Sequence, residues 1–235
     1  MSVLLTVGAH PDDAAIFWGG TIAQHVAEGW QALSVIIDDG RGSPHSYEMD
    51  GDTLVATRQR ELAWESQRLG ARLEHLLLPG VKTPATRADA TAHLVRLIRE
   101  TRPERVITHN LEDSHGTHVM VGRLALRALV LAAEHDGGYA VPEVWLADGW
   151  EPVHYPDVRI DVTPYMNIKM AAIAMHGSQI FDTPYLMGAW GLGLYRAGFA
   201  SSHEVTDPRT LFAEAFRRIA PADVRSAAAA NDPEA

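Results

Sequence analysis

Between Val3 and His135 the chain repeats one unit four times: a short apolar run, then an amphipathic helix. The runs are Val3–Val7, Ala32–Ile37, Leu73–Leu78 and Arg105–Thr108, and the helices read Ala14–Glu28, Thr53–Leu69, Thr86–Glu100 and Val119–His135. Strands alternating with helices must lie parallel and be joined by right-handed crossovers, so helices cover both faces of the sheet. The expected fold class is α/β, a Rossmann-like doubly wound, mostly parallel sheet flanked by helices. Gly19-Gly20 interrupts the first helix and marks a close backbone approach. Asp38 to Ser43 is a Gly-rich polar loop, continued by the polar segment from His45 to Asp52. Val144–Leu146 and Val158–Val162 read as later strands, and Thr163 caps a helix from Pro164 to Met175. Tyr185 to Phe199, rich in Gly and aromatics, reads as loop or short strands. Pro208 to Ile219 reads as a helix, and residues 220–235 as a frayed tail after a single domain over 1–219.

In such a sheet, ligands bind outside the carboxyl ends of the strands, where the winding reverses. With strand order 3-2-1-4-5, strands one and four are neighbours and the loops after them share that crevice. The first loop is Gly8-Ala9-His10-Pro11-Asp12-Asp13; the other runs from His109 to His118. Alone, the first is a capping turn, with Pro11 fixing the bend and an Asp capping the helix. Together the two loops offer more. Two histidines and one carboxylate with an open position form a common hydrolytic zinc arrangement. His10, Asp13 and His118 can supply it, leaving Asp12 free to take a proton from water. His115 can approach from the other side as a protonated donor. The chain has no cysteine, so any metal must be held by His, Asp or Glu.

These motifs identify a resemblance to the PIG-L/LmbE-like zinc-dependent de-N-acetylase family. Ala9-His10-Pro11-Asp12-Asp13 reproduces the family's signature loop, and His115-Gly116-Thr117-His118 matches its second motif, usually His-Pro-Asp-His. Arg58, Glu61, Leu69 and Gly70 fit its Arg-x-x-Glu…Leu-Gly helix. Lys169, Ala172, His176, Ser178 and Gln179 fit a later segment, and Ala213-Glu214-Ala215-Phe216 a C-terminal one. The resemblance implies hydrolysis of an N-acetyl group from a glucosamine-containing substrate. It implies zinc on His10, Asp13 and His118, Asp12 as general base, and His115 as oxyanion stabiliser or proton donor. It also implies Arg58 as a substrate-binding residue and His176 as a residue bordering the substrate. A pair between Arg58 and Glu61 on the helix surface is an equal reading of that motif. Thr117 departs from the family's Asp, which leaves His115 without its usual carboxylate; Asp113 is the candidate replacement.

The net charge of −10 argues against a nucleic-acid backbone as partner, which needs a basic face. No apolar run reaches the length of a membrane span, and the start of the chain lacks a basic n-region, so a cytoplasmic location is expected. The expected partner is a small amino sugar or related amide, with homo-oligomerisation left open. Two other readings remain: an amidase or deacylase for a larger thiol-conjugate or natural-product amide, and a zinc-containing sugar-binding protein without turnover. A dinucleotide module is disfavoured, because the first turn has no Gly-rich phosphate cradle.

Overall fold

The first five strands assemble as β3-β2-β1-β4-β5, all parallel, and two antiparallel strands extend the sheet to the order β3-β2-β1-β4-β5-β7-β6. This computed structural model describes residues 1–44, 49–134, 137–181, 183–200 and 207–231. The strands are β1 (Val3–Gly8), β2 (Gln31–Asp38), β3 (Arg72–Leu78), β4 (Arg105–His109), β5 (Glu143–Ala147), β6 (Val158–Asp161) and β7 (Ala213–Ile219). The helices are α1 (Asp13–Ala27), α2 (Gly51–Leu69), α3 (Pro84–Thr101), α4 (Gly116–Ala133), α5 (Met166–Ile173), α6 (Gly177–Ile180), α7 (Tyr185–Gly198) and α8 (Val224–Ala230). His45, His135 and His203 lie outside the described residues.

β1 is the middle one of the five parallel strands and is apolar on both sides. Leu5 and Val7 join the core under α3 and α4, while Leu4 packs with Trp18 and Ile22 of α1 on the other face. α4 is long and apolar enough, by length and composition, to cross a membrane, which the sequence reading did not anticipate. It packs against α3, α8 and the sheet, with half of the helix buried, as a core helix does.

Three segments differ from expectation. Ala213–Ile219 is strand β7, not a helix, pairing with β5 and β6. Its Ala-Glu-Ala start has helical propensity, but burial of Ala213, Ala215 and Phe216 on the sheet outweighs it. Tyr185–Gly198 is helix α7, not loop; its glycines are tolerated because Ala189, Gly193 and Arg196 are buried along one face. Val224–Ala230 is a helix anchored on α4 through Val224, where a frayed tail was expected.

The Gly19-Gly20 interruption has a tertiary cause. α1 kinks at Trp18, whose φ of −140° is not helical. A Cβ on Gly20 would lie 2.7 Å from the Val162 Cβ, so only glycine fits there. The Glu214 carboxylate accepts the freed N–H groups of Gly20 and Thr21 at 2.9 and 2.7 Å. Lys169 donates to the same carboxylate at 2.6 Å, and all of these groups are buried. Removing one partner of such a pair strands the other charge in the interior. Glu214→Ala is therefore expected to destabilise the fold by about 3–5 kcal/mol, measured as a lower urea midpoint at unchanged m-value.

Candidate metal centre

β1 ends at Gly8, and a tight turn returns the chain into α1: the Asp12 N–H donates to the His10 carbonyl at 2.9 Å. That turn aims two backbone N–H groups at Asp13. Its Oδ2 accepts from Ala9 N at 2.8 Å and His10 N at 2.7 Å, and from His109 Nε2 at 3.0 Å. Burial by itself would raise the Asp13 carboxyl, but the His118, His109 and His10 imidazoles outweigh it and hold the group well below the carboxylate range. Oδ2 is thereby fixed, and Oδ1 is left to face His118 at 3.3 Å.

His115 and His118 come from the N-terminal end of α4, three residues apart, so both face the turn after β1. Asp113 accepts from His118 Nδ1 at 2.9 Å. That bond orients the ring and turns Nε2 towards His10 Nδ1, 3.2 Å away. His10 Nδ1 is in turn 3.6 Å from Asp13 Oδ2. Donors of a tetrahedral ion bound at ~2.0–2.1 Å stand roughly 3.3 Å apart. The His10–His118 and His118–Asp13 Oδ1 separations meet that spacing, whereas His10 approaches the other carboxylate oxygen, Oδ2, at 3.6 Å. A carboxylate behind a histidine, as Asp113 stands behind His118, is the usual support of a metal-ligating ring. Burial opposes charge on His118, but Asp13 and Asp113 outweigh burial and push its pKa up to about 10.

Among the described residues, two overlapping sets of donor atoms lie within 4.8 Å of one another: His10, His115 and His118, and Asp13, His109 and His118. His109 sits at the end of β4, stacked on His118 with ring centroids 4.1 Å apart. Burial pushes it down to about 4, so it is a neutral imidazole whose Nε2 is engaged by Asp13. Its role is to hold Asp13. The sequence analysis did not assign His109. Strand pairing could have found it, because Thr108 lies beside Val7, which carries His109 next to the Ala9 turn.

His115 stands between His10 and Trp150, with ring centroids 4.8 and 5.1 Å away. Burial, His118 and His10 all push its pKa down, so the ring favours the neutral form rather than the expected imidazolium. Asp113 is not its replacement carboxylate: Oδ1 accepts only the His115 backbone N–H, at 2.9 Å, and Oδ2 serves His118 and the Trp150 N–H. The fit around Asp113 is tight enough to require glycine at 149, where a Cβ would lie 1.8 Å from Oδ2.

Asp12 is buried beside Asp13, with Oδ2 3.2 Å from Arg58 Nη2. Arg58 is buried as well, and donates to the Pro11 and Gly40 carbonyls at 3.1 and 3.2 Å. The surface pair with Glu61 is not formed; Glu61 accepts from Ser178 N and Oγ at 2.8 and 2.7 Å. His176 is buried too, with Nε2 2.6 Å from Glu65. Burial works against charge on His176, but Glu65 outweighs it and raises its pKa. Arg58 and His176, expected at the substrate, thus have partners within the protein: Arg58 ties two active loops together, and His176 closes α2 against α6 from below.

The PIG-L family profile, described as GlcNAc-PI de-N-acetylase, matches residues 5–129. The chain belongs to the PIG-L family. It is 33% identical over 159 residues to the 1D-myo-inositol 2-acetamido-2-deoxy-alpha-D-glucopyranoside deacetylase of Streptomyces scabiei, covering 56% of this chain and 49% of that protein. It is 27% identical over 186 residues to the diacetylchitobiose deacetylase of Thermococcus kodakarensis, covering 75% and 69%. The chain thus spans about half the length of the first of these relatives. Among solved structures, the 4-carboxy-2-hydroxymuconate hydratase of Pseudomonas putida superposes with a TM-score of 0.82 at 25% identity, over 93% of this chain and 96% of that one.

The support behind His118 predicts a separable effect. Asp113→Asn keeps the shape but removes the charge, and is expected to weaken binding of a divalent metal roughly 10- to 100-fold. Competition with a fluorescent chelator measures this; unchanged affinity would show that Asp113 does not orient the ligand.

Proposed function

We propose that the chain is a zinc-dependent hydrolase that removes an N-acetyl group from an amino sugar of the N-acetylglucosamine type, acting in the cytoplasm. The observation that carries this reading is the convergence of His10 Nδ1, His118 Nε2 and Asp13 at 3.2 to 3.6 Å, with a second carboxylate, Asp12, adjoining them. In this reading His10, Asp13 and His118 hold the ion. A divalent ion held there supplies Lewis-acid polarisation of the amide carbonyl and acidifies water.

The chain's own groups do the rest. Asp12 accepts the proton of the attacking water and later delivers it to the leaving amine. Arg58 fixes the Asp12 carboxylate, so that little motion is needed before proton transfer. His115, neutral, donates a ring N–H to the oxyanion as the carbonyl becomes tetrahedral. Trp150, exposed beside His115, offers a ring face to a pyranose.

A second reading, hydration of an unsaturated hydroxy acid, is favoured by the likeness to the Pseudomonas hydratase. The same base could deliver water to a carbon–carbon double bond. Two assays on the metal-loaded protein separate the readings: amine release from a panel of N-acetylated sugars, and loss of diene absorbance with 4-carboxy-2-hydroxymuconate. Metal-dependent amine release is expected; diene loss without it would favour hydration, and sugar binding with neither would favour a binding protein. Asp12→Asn is expected to retain the metal while kcat falls roughly 10²- to 10⁴-fold. Unchanged turnover would remove Asp12 as the base.

A further inference from the structure

Helix α7 buries Ala189, Gly193 and Arg196 against β7 and its neighbours. Its opposite face carries Met187, Gly191, Leu194 and Gly198 at helical spacing, flanked by Trp190 and Tyr195. That face has no charge. Arg196 is the only charged residue in α7, and it is turned inward, donating through Nε to Asp148 at 3.0 Å. Met187 is 72% exposed, Phe199 76%, Tyr195 53%, Leu194 43% and Trp190 39%. The Tyr195 and Phe199 rings touch at 4.9 Å, carrying the patch past the helix end.

Taking ~200 Å² for a fully exposed large side chain, these fractions leave roughly 600 Å² of apolar surface in water. That is at the upper end of the largest apolar patch on a typical monomer, about 300–600 Å², and such patches are often functional. It also exceeds the apolar share of the ~800 Å² that each partner gives to a standard interface.

We infer that the exposed face of α7 is a self-association surface, covered by the same face of a second copy of this chain about a twofold axis. The charge distribution selects that occupant. With a net charge of −10, two copies repel each other over most of their surfaces. An uncharged apolar face is where they can approach, and an isologous contact needs only one such patch. Gly188, Gly191 and Gly198 have open space above them, so the two helices can pack closely. A lipid surface fits less well. An interfacial helix anchors through Lys and Arg beside its apolar face, and α7 presents none to solvent.

Sedimentation velocity of the full chain over a hundredfold concentration range tests this by mass action. A dimer is expected for the natural sequence. The double variants Met187→Glu with Leu194→Glu, and Met187→Lys with Leu194→Lys, are each expected to sediment as monomers with unchanged far-UV circular dichroism, since both sites face solvent. Mixing the acidic and basic variants is expected to restore the dimer, which misfolded chains would not do. A natural chain that stays monomeric throughout overturns the inference, as does a dimer indifferent to the acidic pair or a mixture that fails to associate. Flotation of a monomeric natural chain with neutral phosphatidylcholine vesicles would assign the face to lipid instead.

Discussion

A buried carboxylate keeps its charge only if the protein surrounds it with donors, and Asp13 is buried where β1 and β4 diverge. Its donors come from two places. Ala9 and His10 offer backbone N–H groups from the turn after β1, and His109 offers a ring nitrogen from the end of β4. Those segments are 100 residues apart in the chain and meet only because β4 pairs directly with β1. The topology of the sheet and the charge state of Asp13 are therefore one problem. Without the reversal of winding between these strands, Asp13 would lack both His109 and His118.

The same logic extends outward in shells of diminishing charge. Asp113 holds His118 from behind, and Gly149 leaves it room to do so. Arg58 ties the turn after β1 to the loop after β2 through two carbonyls, and steadies Asp12 while it does so. Below that layer, Glu61 and Glu65 of α2 fasten Ser178 and His176. Each of these carboxylates is buried, and each has a partner on a different element. Such bonds add little net stability, but they make the alternative arrangements costly, which suits a site that must hold its donor atoms in place to within a few tenths of an ångström.

Much of this was legible in the residues. The strand–helix alternation indicated parallel strands, the order 3-2-1-4-5 assumed for them is the one found, and the two loops that meet at the reversal were recognisable from their histidines and aspartates. What failed to read correctly has a common cause: tertiary partners overrode local signals. Glu214 reads as a helix former, yet it is a strand residue because its carboxylate caps the broken turn of α1 beside Lys169. The glycines of α7 read as loop, yet the helix forms because Ala189, Gly193 and Arg196 bury one side of it. Arg58 and His176 carry motif positions, and the structure adds their internal partners, Asp12 and Glu65, which a motif does not state. His109 carries no motif, and only the β1–β4 register reveals it.

His115 shows how such a site can be tuned without moving its ligands. A carboxylate beside an imidazole favours the charged ring, but here the neighbouring position is Thr117, and Asp113 is engaged by His118. Burial and two adjacent imidazoles then act in the same direction and favour a neutral His115. A neutral ring can donate a hydrogen bond to developing negative charge, but it is a weaker proton source for a departing amine. In the proposed reaction the proton for the amine then falls to Asp12, which Arg58 holds within the same turn as His10 and Asp13. A single carboxylate that first takes a proton from water and then returns it is sufficient for amide hydrolysis. It is equally sufficient for adding water across a polarised double bond. The replacement of one acid by a hydroxyl thus narrows the chemistry at His115 while leaving the base, and the choice of electrophile, to the surrounding pocket.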